Sequence, residues 1–302
     1  MKQPEVKLRL NSKPQSLRER LFGYAILVRL NRPIGILLLL WPALWALWMA
    51  GAGHPRWDVV LIFILGVALM RSAGCAINDY ADRHFDGRVA RTRHRPLAVG
   101  LVTPKEALMV FALLSLAAFG LVLLLDWQTI SMSFVAVTLA ALYPFMKRFT
   151  HLPQLVLGMA FGWAVPMAFT ALTGTVSDAG WLLYIAAIVW ALIYDTEYAM
   201  VDREDDLKIG VKSTAILFGE YDRLMIGVLQ LTMLALLIMV GSKLELGIYY
   251  QLGIVAGGSM FLRQQFMIRR REPKRCFEAF LNNNGFGMII YIGLVLDYLL
   301  AG

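Results

Sequence analysis

Long apolar runs recur along the whole chain, and they limit it to very few folds. Nine can be marked, at 34–50, 58–77, 107–125, 129–146, 153–172, 180–199, 224–241, 246–262 and 278–300. A helix needs about 20 apolar residues to cross the hydrocarbon core of a bilayer. Lipid offers no partner to an unpaired backbone N–H or C=O, so each run must close its own hydrogen bonds as a helix. Hydrophobic residues make up 59% of the chain, against about 45–50% in soluble domains. The expectation is an all-α, polytopic integral membrane protein of about nine transmembrane helices. The first run is short and Pro42 interrupts it, so its ends are the least defined.

The net charge of +8 would suggest a nucleic-acid partner in a soluble protein, but its placement points elsewhere. Of the 29 lysines and arginines, 26 fall before the first run or in the loops after runs two, four, six and eight. Arg56 and Lys243 lie in the opposite loops and Arg71 lies within run two. This is the positive-inside pattern, and it predicts a cytoplasmic N-terminus and, after nine crossings, an external C-terminus. No cleavable signal peptide is expected, because the first apolar run starts late and eight follow it. Ser16 to Leu30 sets Leu17, Leu21, Tyr24, Ala25 and Leu27 among basic residues. It reads either as an amphipathic helix on an anionic leaflet or as a flexible basic tail. Two cysteines, Cys75 and Cys276, make no disulfide framework; both are expected as reduced thiols without an assigned role.

Against this greasy background the stretch "GCAINDYADRHFDGRVARTRHRPL", Gly74 to Leu97, stands out. It falls where the second run reaches the cytoplasmic boundary. If the helix continues, Asn78, Asp82 and Asp86 share one face at i, i+4 and i+8. Oxygen side chains crowded this way suit a hard cation such as Mg²⁺, which often takes one or two carboxylates plus substrate phosphates. The bland alternative is a solvated loop whose acids balance its arginines. A second stretch, "YDTEYAMVDREDDLKIGVKST" from Tyr194 to Thr214, decides between them. It too ends an inward-running helix, with Asp195, Asp202 and Asp206 at i, i+7 and i+11 and Asp205 beside them. Four crossings separate the clusters, so both face the same side, and basic residues trail each. The halves form a loose parallel repeat, and two carboxylate clusters at the membrane boundary suit a metal-bridged diphosphate. Ionisable groups in such positions are costly and functional by default.

These motifs resemble those of the UbiA superfamily of membrane prenyltransferases. "NDYADRHFDG" is similar to its first acidic motif and "DREDD" to its second. The similarity extends to "RPIGILLLLWPALWALW", "YPFMKRFTHLPQLVLGMAFGWAVPMAF" and "YDTEYAMVDREDDLKIGVKSTAILFG", which look like the branch that prenylates 4-hydroxybenzoate for ubiquinone. It runs from Arg29 to the end and neither acidic motif departs from the pattern. The resemblance implies one membrane-embedded domain over 1–302, with 1–33 as its cytoplasmic N-terminal segment. It also implies a bundle with a lipid-open active-site chamber, in a bacterial inner membrane with the site on the cytoplasmic side.

By the same resemblance, a polyprenyl diphosphate and 4-hydroxybenzoate are the substrates and two Mg²⁺ are the cofactors. Asn78, Asp82 and Asp86 would serve one ion, and Asp202 and Asp206 the other. The allylic C–O bond ionises and the ring attacks ortho to its hydroxyl, in a dry pocket. Asp195 either positions or deprotonates the phenol, or supports the site from behind. Arg91, Arg95, Lys208 and Lys212 either contact diphosphate or hold loops at an anionic leaflet. Lys147 and Arg148, ending run four beside Tyr143, are the stronger candidates, with Arg148 on the benzoate carboxylate and Lys147 on the diphosphate. Arg71 and Arg83 are alternatives for both tasks. Asn282, Asn283 and Asn284 read as helix capping or site lining, and Trp41, Trp45 and Trp48 as interface belt and packing. Gly158, Gly162 and Pro166 read as close helix contact and a kink. Other UbiA-type transferases and a transporter are the competing readings; the near-absence of charge in mid-membrane argues against the transporter.

Overall fold

The computed structural model describes residues 16–84, 86–89 and 91–300, so residues 1–15 and the C-terminal pair lie outside the described residues. The elements are helical throughout this range. They are α1 (Leu17–Leu27), α2 (Ile34–Ala50), α3 (Trp57–Asp82), α4 (Pro104–Val122), α5 (Trp127–Met146), α6 (Pro153–Gly162), α7 (Ala164–Thr173), α8 (Asp178–Ile209), α9 (Thr214–Phe218), α10 (Asp222–Lys243), α11 (Ile248–Met267) and α12 (Pro273–Leu300).

Several helix starts carry a chemical reason. Thr103 and Glu106 form a reciprocal capping box at α4, with Pro104 in the first turn, where no intrahelical donor is lost. Asp126 accepts from Thr129 N at 2.9 Å to open α5, and Ser177 caps α8. α11 takes its cap from another helix: Asp297 of α12 accepts from Gly247 N at 2.6 Å, Tyr249 N at 3.1 Å and Tyr250 N at 3.2 Å. α6 and α7 are one crossing broken at Trp163. Pro166 has no N–H for the Gly162 carbonyl, which explains the break. Gly158 lets α6 approach α8 so closely that a Cβ there would fall 2.9 Å from Ile188 O.

All nine apolar runs are helical, but length and composition single out fewer as membrane-crossing. Among the described residues seven helical stretches meet both: α3, α4, α5, the α6–α7 pair, α8, the α9–α10 stretch and α12. α2, at 17 residues, is shorter, and α11 carries Gln251, Arg263, Gln264 and Gln265 in its 20 residues. The core lies between α2, α8 and α12, where the buried rings of Trp45 and Trp190 sit 5.2 Å apart. Exposed leucines such as Leu113 and Leu116 cover the outside of α4, as expected of a surface in contact with lipid.

Two expectations need correction. Asn282, Asn283 and Asn284 neither cap a helix nor line the site, because they lie inside α12 and tie it to its neighbours. Asn282 accepts from Gln264 of α11 at 3.2 Å, and Asn284 from Trp41 of α2 at 2.8 Å. Asn283 accepts from Trp190 and donates to Glu197 of α8, at 3.0 and 2.8 Å. Second, α3 stops at Asp82, so Asp86 is not the i+8 member of a continuous helical face. It opens a 3-10 turn, Asp86–Arg88, instead. A run of carboxylates at the negative end of a helix is unfavourable, and Gly87 is a poor helix former.

Candidate active site

The last turns of α3 and α8 carry the two acid clusters, and both open into one cavity of about 420 Å³. Asn78, Asp79 and Asp82 reach it from α3, with Asp86 from the following turn. Tyr194, Asp195, Tyr198, Asp202 and Asp206 reach it from α8. The extra length of α8, 32 residues ending at a left-handed Gly210 (φ 73°), places Asp195, Asp202 and Asp206 on one continuous helix. Lys147 enters at the end of α5, Gln154 and Phe161 from α6, and Arg91 and Arg95 from the α3–α4 loop.

Charge inside the cavity is paired locally. Arg91 donates to Asp202 from Nε at 2.9 Å and Nη2 at 2.5 Å, and to the Tyr198 hydroxyl from Nη1 at 2.5 Å. Arg95 Nη1 stands 3.0 Å from Asp86, 3.1 Å from Asp79 and 3.7 Å from Asp82. Lys147 donates to Asp82 Oδ2, which also accepts from Asn78 at 3.3 Å. Burial pushes the Asp86 carboxyl up to about 6, with Asp82 and Asp79 pushing the same way and Arg95 opposing. Burial alone would lower the Arg95 value; Asp79, Asp86 and Asp82 outweigh it and hold the guanidinium above its ordinary range.

Arg71 is built differently. It is half-buried, its Nη1 donates to Cys75 Sγ at 2.7 Å, and its buried Nε has no partner among the described residues. α2 makes room for it: a Cβ on Gly35 would lie 2.5 Å from Arg71 Nε. Arg71, Tyr143 and Phe161 also line a second cavity of about 380 Å³. That cavity is walled by apolar side chains of α3, α4, α5 and α7, among them Phe63, Val67, Phe119, Phe134 and Met167. A charged chamber and an apolar one therefore meet at a single arginine and two rings.

Three expected site residues do not line either cavity. Arg148 is one position past Lys147, which turns it away; its Nη2 donates to the Ala81 carbonyl and its guanidinium lies 5.4 Å from the Phe145 ring. Arg83 donates to Tyr80 O at 2.7 Å and covers that tyrosine's ring. Lys208 is exposed and pairs with Asp205 at 3.6 Å. Lys212 does line the chamber, with its backbone N–H on the Lys147 carbonyl at 3.2 Å. Conversely, Asp79, Gln154, Tyr194, Tyr198, Arg29 and Arg32 line the chamber without having been singled out. Asp79 sits inside the first motif and Tyr198 four residues before Asp202, so both had a sequence signal. Gln154 had none.

An apolar bundle with two acid clusters around a cation-lined chamber, continued by an apolar cavity, defines a membrane enzyme for amphiphilic substrates. The chain belongs to the UbiA prenyltransferase family, which matches residues 39–289. It is 59% identical over 286 residues to the 4-hydroxybenzoate octaprenyltransferase of Alkalilimnicola ehrlichii, covering 95% of this chain and 98% of that one. To the 4-hydroxybenzoate octaprenyltransferase of Nitrosococcus oceani it is 60% identical over 285 residues, covering 94% and 100%. The fold is similar to a UbiA homologue from Aeropyrum pernix K1, with a TM-score of 0.77 at 26% identity over 87% of this chain and 97% of that one. It is also similar in fold to a UbiA homologue from Archaeoglobus fulgidus bound to GPP and Mg²⁺, with a TM-score of 0.68 at 19% identity over 92% and 99%.

Proposed function

We propose that this chain transfers a polyprenyl group from an allylic polyprenyl diphosphate to the ring of 4-hydroxybenzoate, ortho to the hydroxyl, releasing diphosphate. The observation that carries this reading is the junction at Arg71, Tyr143 and Phe161, where the charged chamber opens into the apolar cavity. A diphosphate head and an isoprenoid tail need such a pair of compartments. The names of the relatives in Alkalilimnicola ehrlichii and Nitrosococcus oceani, at this identity and coverage, favour 4-hydroxybenzoate as the acceptor.

The residues fit Mg²⁺. The donor set is all oxygen, and Asp82 Oδ1 and Asp79 Oδ2 are buried acceptors without a hydrogen-bond partner among the described residues. No three His, Cys, Asp or Glu side chains among the described residues enclose an ion unaided, which agrees with a metal held by one or two carboxylates and substrate phosphates. Asn78, Asp82 and Asp86 would hold one ion, and Asp202 and Asp206 a second. Bound there, Mg²⁺ supplies positive charge against the negative charge growing on the leaving diphosphate.

The protein's own groups do the rest. Lys147, Arg91, Arg95 and Lys212 add fixed cations on the diphosphate side. As the C–O bond breaks, its electron pair leaves with the diphosphate, and the allylic carbon bonds to the ring carbon beside the hydroxyl. The ring carbon then gives up its proton, which leaves with the released diphosphate, and the C–H electron pair restores the aromatic ring. Arg71 orients the acceptor's carboxylate, and Asp195, which lines the same chamber from α8, positions the phenol. Tyr143, Phe161 and Tyr194 wall the reacting carbon from water.

Purified protein in lipid, given Mg²⁺, a polyprenyl diphosphate and 4-hydroxybenzoate, is expected to yield 3-polyprenyl-4-hydroxybenzoate by mass spectrometry. Product with homogentisate and none with 4-hydroxybenzoate would replace the acceptor assignment with a different branch of the family.

The tail should be read loosely and the head strictly. An apolar wall discriminates a methylene-scale change by only about 1–3 kcal/mol, so several prenyl lengths are expected to be accepted. Prenyl alcohols, which offer no diphosphate to the cations, are expected to be inert, and measurable transfer from one would overturn the ionisation step. Orientation is equally testable. The charge pattern supports a cytoplasmic N-terminus with the acid motifs on the same side and an external C-terminus, and the family supports a bacterial inner membrane. Cysteine accessibility at the two ends is expected to differ in sidedness; finding both on one side would exclude an odd number of crossings.

A further inference from the structure

α1 is an 11-residue helix, about 16 Å long and too short to cross a bilayer. Its inner face is fixed to the bundle. Leu27 is fully buried with Ala76, Val102 and Ala107. Tyr24 donates to Glu106 at 2.8 Å, and Arg20 donates to the same carboxylate at 3.1 Å. Apolar side chains on its outward side are uncovered: Leu17 is 74% exposed, Leu21 58% and Phe22 49%, and Leu30 just beyond the helix is 64% exposed. Arg18 is exposed among these side chains, and Arg20, although bound to Glu106, keeps 53% of its side chain exposed. Uncovered apolar side chains with cations among them suit a helix lying in the headgroup layer, apolar groups in the acyl boundary and cations on anionic lipid.

The C-terminal end of α1 leads into the chamber. Arg29 takes a left-handed backbone conformation (φ 59°) that few non-glycine residues adopt. From there its Nη2 donates to Asp79 Oδ1 at 2.8 Å and its Nη1 to the Ile26 carbonyl at 2.9 Å. Asp79 is fully buried and holds Arg95 with the same oxygen. Strain of this kind persists where the surroundings impose it.

We propose that the outer face of α1 is seated on an anionic leaflet, and that this seat fixes Arg29 on Asp79 beside the first acid motif. The partner is the lipid surface on the side where the motifs open, recognised by its phosphate headgroups and acyl boundary. It does not depend on which aromatic acceptor is prenylated. α1 is thus a strap between bilayer and chamber: lipid holds Leu17, Leu21 and Phe22, and the chamber receives Arg29. Loss of the seat frees the strap, lets Arg29 leave Asp79 and loosens Arg95 on the diphosphate side.

A nitroxide at Leu21→Cys in the full chain tests the seat directly, since Cys75 and Cys276 are both buried. The control label is Lys105→Cys, on an exposed polar position of the neighbouring helix. In nanodiscs containing phosphatidylglycerol, the Leu21 label is expected to relax preferentially with lipid-soluble oxygen and the Lys105 label with a water-soluble nickel chelate. Arg18→Gln should shift the Leu21 label toward the chelate in those discs more than in phosphatidylcholine alone. Equal chelate access at the two sites, as for an α1 facing solvent, or low access of both relaxers at Leu21, as for an α1 covered by a second copy of the chain, would overturn the proposal.

Coupling has its own readout. Leu17→Ser/Leu21→Ser/Phe22→Ser is expected to raise KM for prenyl diphosphate by about fivefold or more, the low end of ordinary coupling between sites. The same triple change made in Arg29→Gln should add little further. Full additivity of the two would show that the strap does not act through Arg29.

Discussion

Alanine in place of Asp82 or Asp202 should lower turnover by about two to three orders of magnitude, the usual cost of removing one preorganised electrostatic group at a reacting centre. Both side chains face the same chamber from different helices, and neither packs the core. Asp82 meets Asn78, Arg95 and Lys147; Asp202 meets Arg91. Each loss therefore removes a counter-charge and a proposed metal ligand together, and the two contributions must be separated. If Asp82 served only to hold Lys147, then Lys147→Met would match Asp82→Ala and leave the Mg²⁺ requirement unchanged. If it serves a metal, Asp82→Asn should raise the Mg²⁺ concentration needed for half-maximal rate, and chelation should abolish the wild-type rate. Circular dichroism on the same preparations checks that the helices persist. Near-native turnover in either alanine variant would remove that cluster from the metal assignment.

What was legible in the sequence, and what was not, follows from the range of the interactions. Helical runs are local: apolar length and the absence of lipid-side partners set them, and all nine appear as helices. The second acid motif was legible in detail because α8 is long and unbroken, so residues at i, i+7 and i+11 had to share a face. The first was legible only to Asp82. Periodicity carries no warning that a helix ends, and Asp86 reaches the chamber through a 3-10 turn and its contact with Arg95. The choice between Lys147 and Arg148 was a question of one step around a helix end, about 100° of rotation. Adjacency in sequence cannot settle that. Asn282 to Asn284 looked polar enough for a site; their partners, Gln264, Glu197 and Trp41, are distant in sequence and only the fold brings them near. The same holds for Arg71, whose space is created by Gly35 on another helix.

Arg71 therefore carries the second large effect. A pocket for 4-hydroxybenzoate must neutralise a carboxylate and leave the ring electron-rich, and a planar guanidinium does this with a bidentate fork that an ammonium lacks. Among the arginines considered for this task, Arg71 lines the chamber, while Arg83 and Arg148 are turned to the backbone carbonyls of Tyr80 and Ala81. A charge-assisted contact of this kind contributes about 1.5–3 kcal/mol, roughly ten- to a hundredfold in affinity. Arg71→Lys is thus expected to raise KM for 4-hydroxybenzoate by about that factor and to leave KM for the prenyl diphosphate nearly unchanged. Arg148→Lys should change the acceptor less, because its guanidinium is committed to the end of α3. Gly35→Val supplies an independent check: its side chain would crowd Arg71 from α2 and should reproduce the acceptor defect with every charge intact. Steady-state kinetics with each substrate varied separately distinguish the outcomes. A defect of Arg71→Lys confined to the prenyl diphosphate would move that guanidinium to the leaving-group side. A larger acceptor defect in Arg148→Lys would return the carboxylate to the end of α5.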